Sequence, residues 1–464
     1  MALSGLEIFK LLPKTNCKEC GLPTCLAFAM NLTSGKIELS SCPYVSEEAK
    51  AKLAEAEQSP IRLVTIGVGD KALKIGGETV MFRHEKRFEN PPGFAVLIID
   101  TMDDAETDAR LRRFQELQYE RIGILLRPEL IAIRSDSGDA QKYADLVNKV
   151  KQNSDANIIL MSSNHDILSA GLKVCADRKP LIYAATPDNF EQIAGLAIQY
   201  SCPVTAKASG LDDLAELTAK LIEAGVKDII LDSGSRTLRR AFEDQIFIRR
   251  TAIYKNFRPL CFPTVVLPCE MTNDPMMEAL MASVFVAKYG GIIVLSDFQG
   301  ETLFPLLLQR MDIYNDPQKP FMTPEGIYEI GEPDQNSPVL LTSSWALTYL
   351  NLSLAIEASD IPAFLCVERI ENETDVMCWC HYCLRSTQRG KLDSKSTSRF
   401  IKECRIKDRV NHRKLVIPGR TAQFKAELEQ TLPEWEIIVG PVESALIAGF
   451  LPGFAEDLKN LSET

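Results

Sequence analysis

The chain has 464 residues, 45% of them hydrophobic and 25% charged, with a net charge of -11. That length exceeds one ordinary core, so two or three domains are expected. The acidic balance argues against general nucleic-acid binding, which needs a basic surface to displace counterions. No apolar run reaches the roughly 18 residues that a membrane helix requires. The 13 cysteines follow an N-terminus without the charged-then-apolar layout of a signal peptide, and a cytoplasmic protein is expected.

The first segment, residues 1–58, carries Cys17, Cys20 and Cys25 in one run, with Cys42 arriving later in Ser41-Cys42-Pro43. Three thiolates in one short loop can clasp a face of a metal centre, and a fourth from a distant turn closes it. The C-x2-C-x4-C…C spacing suits an iron–sulfur cluster. Zinc also takes four cysteines, but its ribbons usually pair two similar C-x2-C knuckles, so the cluster is favoured and zinc stays open. Leu6, Phe9 and Leu12 suggest one apolar helical stripe, and Leu26, Met30 and Leu32 another. Residues 47–57 read as a solvated helix, and Ser59-Pro60 marks a boundary.

Residues 59–325 open with a stretch at 65–88 that reads as a β-hairpin or lead-in, with Gly76-Gly77 as its turn. Short apolar strands then alternate with helix-length stretches. They are expected at 95–99, 130–134, 157–161, 181–185, 203–206, 228–232, 264–267 and 292–295. Continuous apolar strands belong to a parallel sheet covered on both faces. Eight of them alternating with helices over about 230 residues predict a TIM-like (β/α)8 barrel. Its strand ends carry Asp100, Arg134 and Asp232-Ser233-Gly234, which could line a pocket.

Residues 326–464 predict strands at 339–342, 363–367, 414–417 and 436–439, with a helix at Thr421–Gln430. This is an open, Rossmann-like α/β domain, whose ligands sit beyond the carboxyl ends of the strands. Those ends carry Thr342-Ser343-Ser344, Pro418-Gly419 and Gly440-Pro441. Small residues there let a large planar ligand approach the backbone, although Gly and Pro also simply end strands.

With these motifs in hand, the chain closely resembles the large subunit of the corrinoid/iron–sulfur protein, the gamma subunit of acetyl-CoA decarbonylase/synthase systems. The likeness rests on Leu3–Ile8, Cys17–Cys25, Leu26–Asn31 and Ser41–Tyr44. Phe82–Phe88, Asp177–Pro180, Val416–Gly419 and Val439–Pro441 extend it along the chain. It implies a small [4Fe-4S] domain, a central barrel and a C-terminal corrinoid-binding domain. It also implies a methyl carrier of the reductive acetyl-CoA pathway, forming a heterodimer with a small subunit. A methyltetrahydrofolate:corrinoid methyltransferase would load the cobamide, and the nickel–iron cluster of acetyl-CoA synthase would receive the methyl group. The cluster, fed by a low-potential donor such as ferredoxin, would return inactive Co(II) to Co(I).

By the same resemblance Cys17, Cys20, Cys25 and Cys42 hold the cluster. Thr342, Thr348, the loop Thr374-Asp375-Val376-Met377 and Gly440 contact the cobamide. Many cobalamin modules supply a histidine through an Asp-x-His-x-x-Gly loop; none of His84, His165, His381 and His412 sits in one, which fits a base-off, His-off cobamide. Two other readings belong to different classes. One is an iron–sulfur electron-transfer subunit that reduces a partner's cofactor without binding cobamide; the other is a barrel methyltransferase that binds methylfolate by itself.

Residues 376–404 depart from the family's pattern. Cys378, Cys380, His381 and Cys383 crowd into six residues, too tight for tetrahedral knuckles. We read this stretch as a local reading-frame shift, because the family pattern resumes at about Lys407–Val410. A peptide-mass map of residues 378–390 checks that reading.

Overall fold

A computed structural model describes residues 5–33, 37, 39–46, 49, 59–317, 321–369 and 394–462. The N-terminal segment forms two helices, α1 (Gly5–Leu11) and α2 (Cys25–Thr33), and a tight turn at Leu39–Ser41. Ile8 and Leu12 pack against Cys25, Phe28 and Ala29, with Leu32 partly covered. Cys25, Phe28, Ala29 and Leu32 stand at i, i+3, i+4 and i+7, so they share one face of α2. This corrects the expected stripes: Leu6, Leu26 and Met30 are exposed. The inner face of α2 is set by its thiol, Phe28, Ala29 and Leu32, not by Leu26 and Met30. Of the helix expected at 47–57, only Ala49 lies within the described residues, and it is buried.

By compactness the chain divides into two units, residues 1–118 with 127–315, and residues 119–126 with 316–464. The first unit opens with the hairpin β1 (Val64–Ile66) and β2 (Leu73–Ile75). Its turn spans residues 67–72, earlier than expected. Gly76 and Gly77, both at positive φ, follow the hairpin instead. A Cβ on Gly76 would lie 2.1 Å from the Arg62 carbonyl oxygen, so only glycine passes there.

A parallel barrel follows. It comprises β3 (Gly93–Ile99), β6 (Leu130–Arg134), β7 (Asn157–Met161), β8 (Leu181–Ala185), β9 (Val204–Lys207), β10 (Ile229–Asp232), β11 (Val265–Val266) and β12 (Ile292–Leu295). Between β3 and β6 lies a second hairpin, β4 (Tyr119–Arg121) and β5 (Ile124–Leu126), which packs with the second unit. Neighbouring barrel strands are sequential, and β12 pairs back onto β3. The ring is nearly closed: Leu231 N–H donates to the Pro263 carbonyl at 2.8 Å, and a single bridge joins Leu231 to Thr264. Pro263 and Pro268 bracket β11 and, lacking N–H groups, keep it to two residues.

The helices between these strands are α3 (Asp104–Glu116), α4 (Ala140–Asn153), α5 (His165–Cys175), α6 (Phe190–Tyr200), α7 (Leu211–Glu223), α8 (Leu238–Lys255), α9 (Pro275–Ala287) and α10 (Gly300–Tyr314). Asp103, Asp139, Asn164 and Asp274 cap α3, α4, α5 and α9 with side-chain oxygens that accept first-turn N–H groups. The barrel interior is apolar, with Leu97, Ala132, Ile159, Leu181, Ile230 and Val294 at its centre. Val64, Ile66 and Ile75 of the first hairpin join this core.

The second unit carries β13 (Gly326–Ile330), β14 (Val339–Ser343), β15 (Ala363–Glu368), β16 (Lys414–Ile417) and β17 (Glu436–Val439), in the order β13-β15-β14-β16-β17. All pairs are parallel except β13 with β15. Its helices are α11 (Ala346–Glu357), α12 (Ser394–Glu403), α13 (Lys425–Thr431) and α14 (Ile447–Ser462). Tyr349 and Leu352 of α11 and Leu451 of α14 cover one face, with Leu340, Leu365 and Val416. Phe400 and Ile401 of α12 and Leu428 of α13 cover the other, with Val339, Leu341 and Ile417. The helix expected at 421–430 starts as a tight turn, Gly419–Phe424, and becomes α-helical only from Lys425. No helix among the described residues is long and apolar enough to cross a membrane.

Candidate functional site

The cysteine loop is shaped by its backbone. Asn16, Lys18 and Gly21 adopt positive φ of 48°, 66° and 79°, so the chain turns tightly around Cys17 and Cys20. The Asn16 side chain accepts from Cys25 N–H at 2.8 Å, fastening the loop to the start of α2. Tyr44 donates to Glu19 at 2.8 Å, joining the Cys42 arm to the same loop. All four are free thiols: Cys17 exposed, Cys20 half-buried, Cys25 and Cys42 buried. Cys20, Cys25 and Cys42 pack on one apolar cluster. Among the described residues, no three His, Cys, Asp or Glu side chains converge closely enough to hold a metal ion. Thus three of the thiols share a wall, while Cys17 is exposed on the loop. The donor set itself, four reduced sulfurs on two fastened arms, fits an iron–sulfur group.

The carboxyl end of the barrel is polar but internally paired. Asp100 accepts from Ser135 and Ser137 hydroxyls at 2.8 and 2.6 Å and from Asp136 and Ser137 N–H groups. Burial alone would push its carboxyl up, but these hydrogen bonds hold it below the ordinary Asp value. Arg134 forks onto Asp136 at 2.9 and 3.0 Å. Asp232 accepts from Tyr183 at 2.6 Å and from both terminal nitrogens of Arg236, which also pairs with Glu270. Glu270 links Arg134 to Arg236 and so to Asp232, and the side chains of Asp100, Arg134 and Asp232 are each already committed to protein partners.

The second unit differs. Its sheet has a switch point where β14 gives way to β15 on one side and to β16 on the other, the place where open α/β sheets bind ligands. Thr342, at the end of β14, is completely buried and its hydroxyl has no partner among the described residues. The same holds for Ser343. By alternation Thr342 faces α11, whose first turn buries Thr348, and Ser343 faces α12. Glu368 ends β15 in register with Ser343. Burial pushes its carboxyl up, while hydrogen bonds from Ser396 and Thr397, both at 2.7 Å, pull the other way.

Gly440 follows β17, and its N–H donates to the Ile417 carbonyl at 2.9 Å. Gly419 N–H donates to the Pro441 carbonyl at 3.0 Å, and a Cβ on Gly419 would lie 2.6 Å from the Gly440 oxygen. The two Gly-Pro strand ends are therefore stitched together, and glycine is needed for loop-to-loop packing. Thr342 and Thr348 lie on one side of the switch point; Gly440 reaches it through that stitch. Thr374, Asp375, Val376 and Met377 lie outside the described residues, as do Cys378, Cys380, His381 and Cys383. Ser343 was among the strand-end residues read from sequence, but Glu368 and Arg420 were missed; only the strand register or a buried polar atom without a partner among the described residues reveals them.

No described histidine is poised as a free ligand at this edge. His84 is exposed and stacks on Phe82. His165 pairs with Asp166. His412 Nε2 lies 2.9 Å from the Ser337 carbonyl, and its Nδ1 accepts from Lys414 N–H at 3.2 Å.

Comparison with known proteins matches these features to one family. A family model described as CO dehydrogenase/acetyl-CoA synthase delta subunit matches residues 63–451. An Fe-S cluster family model matches residues 12–44, which contain all four N-terminal cysteines. The corrinoid/iron-sulfur protein large subunit of Moorella thermoacetica is 39% identical over 450 residues, 97% of this chain and 98% of that protein. The acetyl-CoA decarbonylase/synthase complex subunit gamma of Methanopyrus kandleri is 33% identical, covering 97% of each chain. Subunit gamma 2 of Methanosarcina thermophila is 35% identical, covering 98% of each. The model bears the delta subunit's name, whereas these full-length relatives are large or gamma subunits. The chain belongs to the family of the corrinoid/iron–sulfur protein large subunit and the acetyl-CoA decarbonylase/synthase gamma subunit.

Proposed function

We propose that this chain is a corrinoid methyl carrier of the acetyl-CoA pathway with its own iron–sulfur cluster for reductive reactivation. The observation that carries the reading is the pair of buried hydroxyls of Thr342 and Ser343 at the switch point of the second unit, without partners among the described residues. A buried hydroxyl without a partner costs about 1–3 kcal/mol, and a ligand bearing amide groups would satisfy it. When bound, the corrinoid supplies a nucleophilic cobalt that accepts and releases the methyl group, and the cluster supplies the electron that restores that oxidation state.

The protein's own part is orientation and exclusion of water. Thr342 and Thr348 would hold one side of the corrinoid, Gly440 would let its edge approach backbone, and Thr374–Met377 would lie beneath it. Cys17, Cys20, Cys25 and Cys42 would hold the cluster. The pairing of His165 and His412 supports a base-off, His-off cobamide, because an imidazole donor would stabilise higher oxidation states of cobalt. The paired barrel end favours a scaffold over a second catalytic site. Residues 1–58 would act as a cluster domain, 59–325 as the barrel and 326–464 as a Rossmann-like cobamide domain. Partners would be the small subunit, a methyltetrahydrofolate:corrinoid methyltransferase, acetyl-CoA synthase and a ferredoxin-like donor in the cytoplasm.

Metal content of the purified heterodimer tests this. Stoichiometric cobalt, with a Co(I) absorption band on low-potential reduction, is expected. Iron without cobalt would sink the carrier and leave the electron-transfer subunit.

A further inference from the structure

Arg420 follows Pro418-Gly419 at the carboxyl end of β16, the strand that borders the switch point opposite β15. Its Nε is buried and has no hydrogen-bond partner, and no carboxylate pairs with its guanidinium among the described residues. Two other arginines, Arg83 and Arg110, also leave Nε unpaired, but their terminal nitrogens are bonded to carbonyls or carboxylates. Arg420 is half-buried as a residue, whereas the two fully buried arginines each hold an acid: Arg249 pairs with Glu78 at 3.0 Å and Arg310 with Glu129 at 2.8 Å. Composition does not force the exception, since the chain has 63 acidic against 52 basic residues. Retaining a partly desolvated, unpaired cation is costly unless an anion completes it.

The position is also held firmly. Thr421 N–H and hydroxyl both donate to the Pro418 carbonyl, at 2.8 and 2.7 Å, and Gly419 N–H is fixed to Pro441. A guanidinium offers donors only, in a planar fork that matches phosphate oxygens. Corrin-ring carboxamides are neutral and need both donors and acceptors; the one permanent anion of a complete cobamide is the phosphodiester of its nucleotide loop.

We propose that Arg420 binds a phosphate anion at the switch point, namely the nucleotide-loop phosphodiester of the cobamide. This rests on the carrier reading above. Arg420 would be a binding residue, selecting complete cobamides over corrinoids that lack the loop.

The test is a spectrophotometric titration of the corrinoid-free heterodimer with cobalamin, which has the phosphodiester, and with cobinamide, which lacks it. Arg420→Gln should weaken cobalamin binding by roughly 10- to 100-fold, the range of a hydrogen bond to a charged group, and leave cobinamide unchanged. Arg420→Lys should recover part of the loss, and added salt should shrink it. Equal losses for both corrinoids, or no loss for either, would overturn the assignment. If inorganic phosphate binds the wild type through Arg420 while cobalamin shows no advantage over cobinamide, the nucleotide-loop source is wrong. Wild type that binds neither corrinoid would instead defeat the carrier reading itself.

Discussion

Asp232 is only 2% exposed yet carries a charge, because Arg236 and Tyr183 surround it. Burial pushes its carboxyl up, and the hydrogen bonds and charge of Arg236 more than offset that, so its pKa is lowered. A lowered carboxylate stabilises the fold above its unfolded value, near 3.8, and loses that contribution as pH falls below it. Asp232→Asn should therefore cost on the order of 3 kcal/mol in urea unfolding at pH 7, and the gap from wild type should narrow below pH 3.8. His412 has a lowered pKa for a different reason: burial disfavours its cation, only partly countered by the Ser337 carbonyl. Its unfolded form binds the proton more readily, so the protein should lose stability as pH falls through 6.5, and His412→Gln should flatten that slope. At the cluster loop, Cys20→Ala should remove the low-temperature EPR signal of the reduced cluster and abolish reductive activation. Methyl transfer from pre-methylated protein should persist; loss of both would tie the cluster to folding.

At the scale of elements, Gly419 and Gly449 make opposite predictions from the same residue type. Gly419→Ala would press a Cβ against the Gly440 carbonyl at 2.6 Å, so the β16 and β17 loops must separate. It should lower stability by about 1–3 kcal/mol and reduce cobalt retained after gel filtration. Gly449 lies inside α14 with nothing within 4 Å of an added Cβ, so Gly449→Ala should stabilise by about 0.5–1 kcal/mol in thermal unfolding. The eight barrel strands and four of the five strands of the second sheet were legible in the sequence, because buried parallel strands are short, continuous apolar runs. The β4–β5 hairpin was not: it turns at Ile122-Gly123, both at positive φ, and Ile122 is not a residue that signals such a turn. β13 escaped because it is a half-exposed antiparallel edge without an apolar run. Phe9, Leu12 and Leu32 face the N-terminal cluster as expected, but the rest of the α2 face was misread because Cys25 and Phe28, rather than Leu26 and Met30, point inward.

At the scale of the whole molecule, the second unit is discontinuous in sequence. Gly123 sits where a Cβ would meet Thr323 and Tyr328 at 2.7 Å, and Tyr349 donates to Glu120 at 3.3 Å. A fragment starting at residue 316 would lack this hairpin and expose Tyr328 and Tyr349. It should melt well below the same unit in the full chain, and adding residues 119–126 back by a linker should recover much of the difference. The cysteine spacing, the strand rhythm and the strand-end loops are local properties, so the sequence by itself determined the cluster segment, the barrel and an open α/β sheet. Which residues face the ligand is not local. It depends on strand order, which puts the switch point at β14, and on loop packing, which leaves the Thr342 and Ser343 hydroxyls and the Arg420 Nε buried without partners among the described residues. Only the tertiary structure decided that, because desolvation is set by neighbours far apart along the chain.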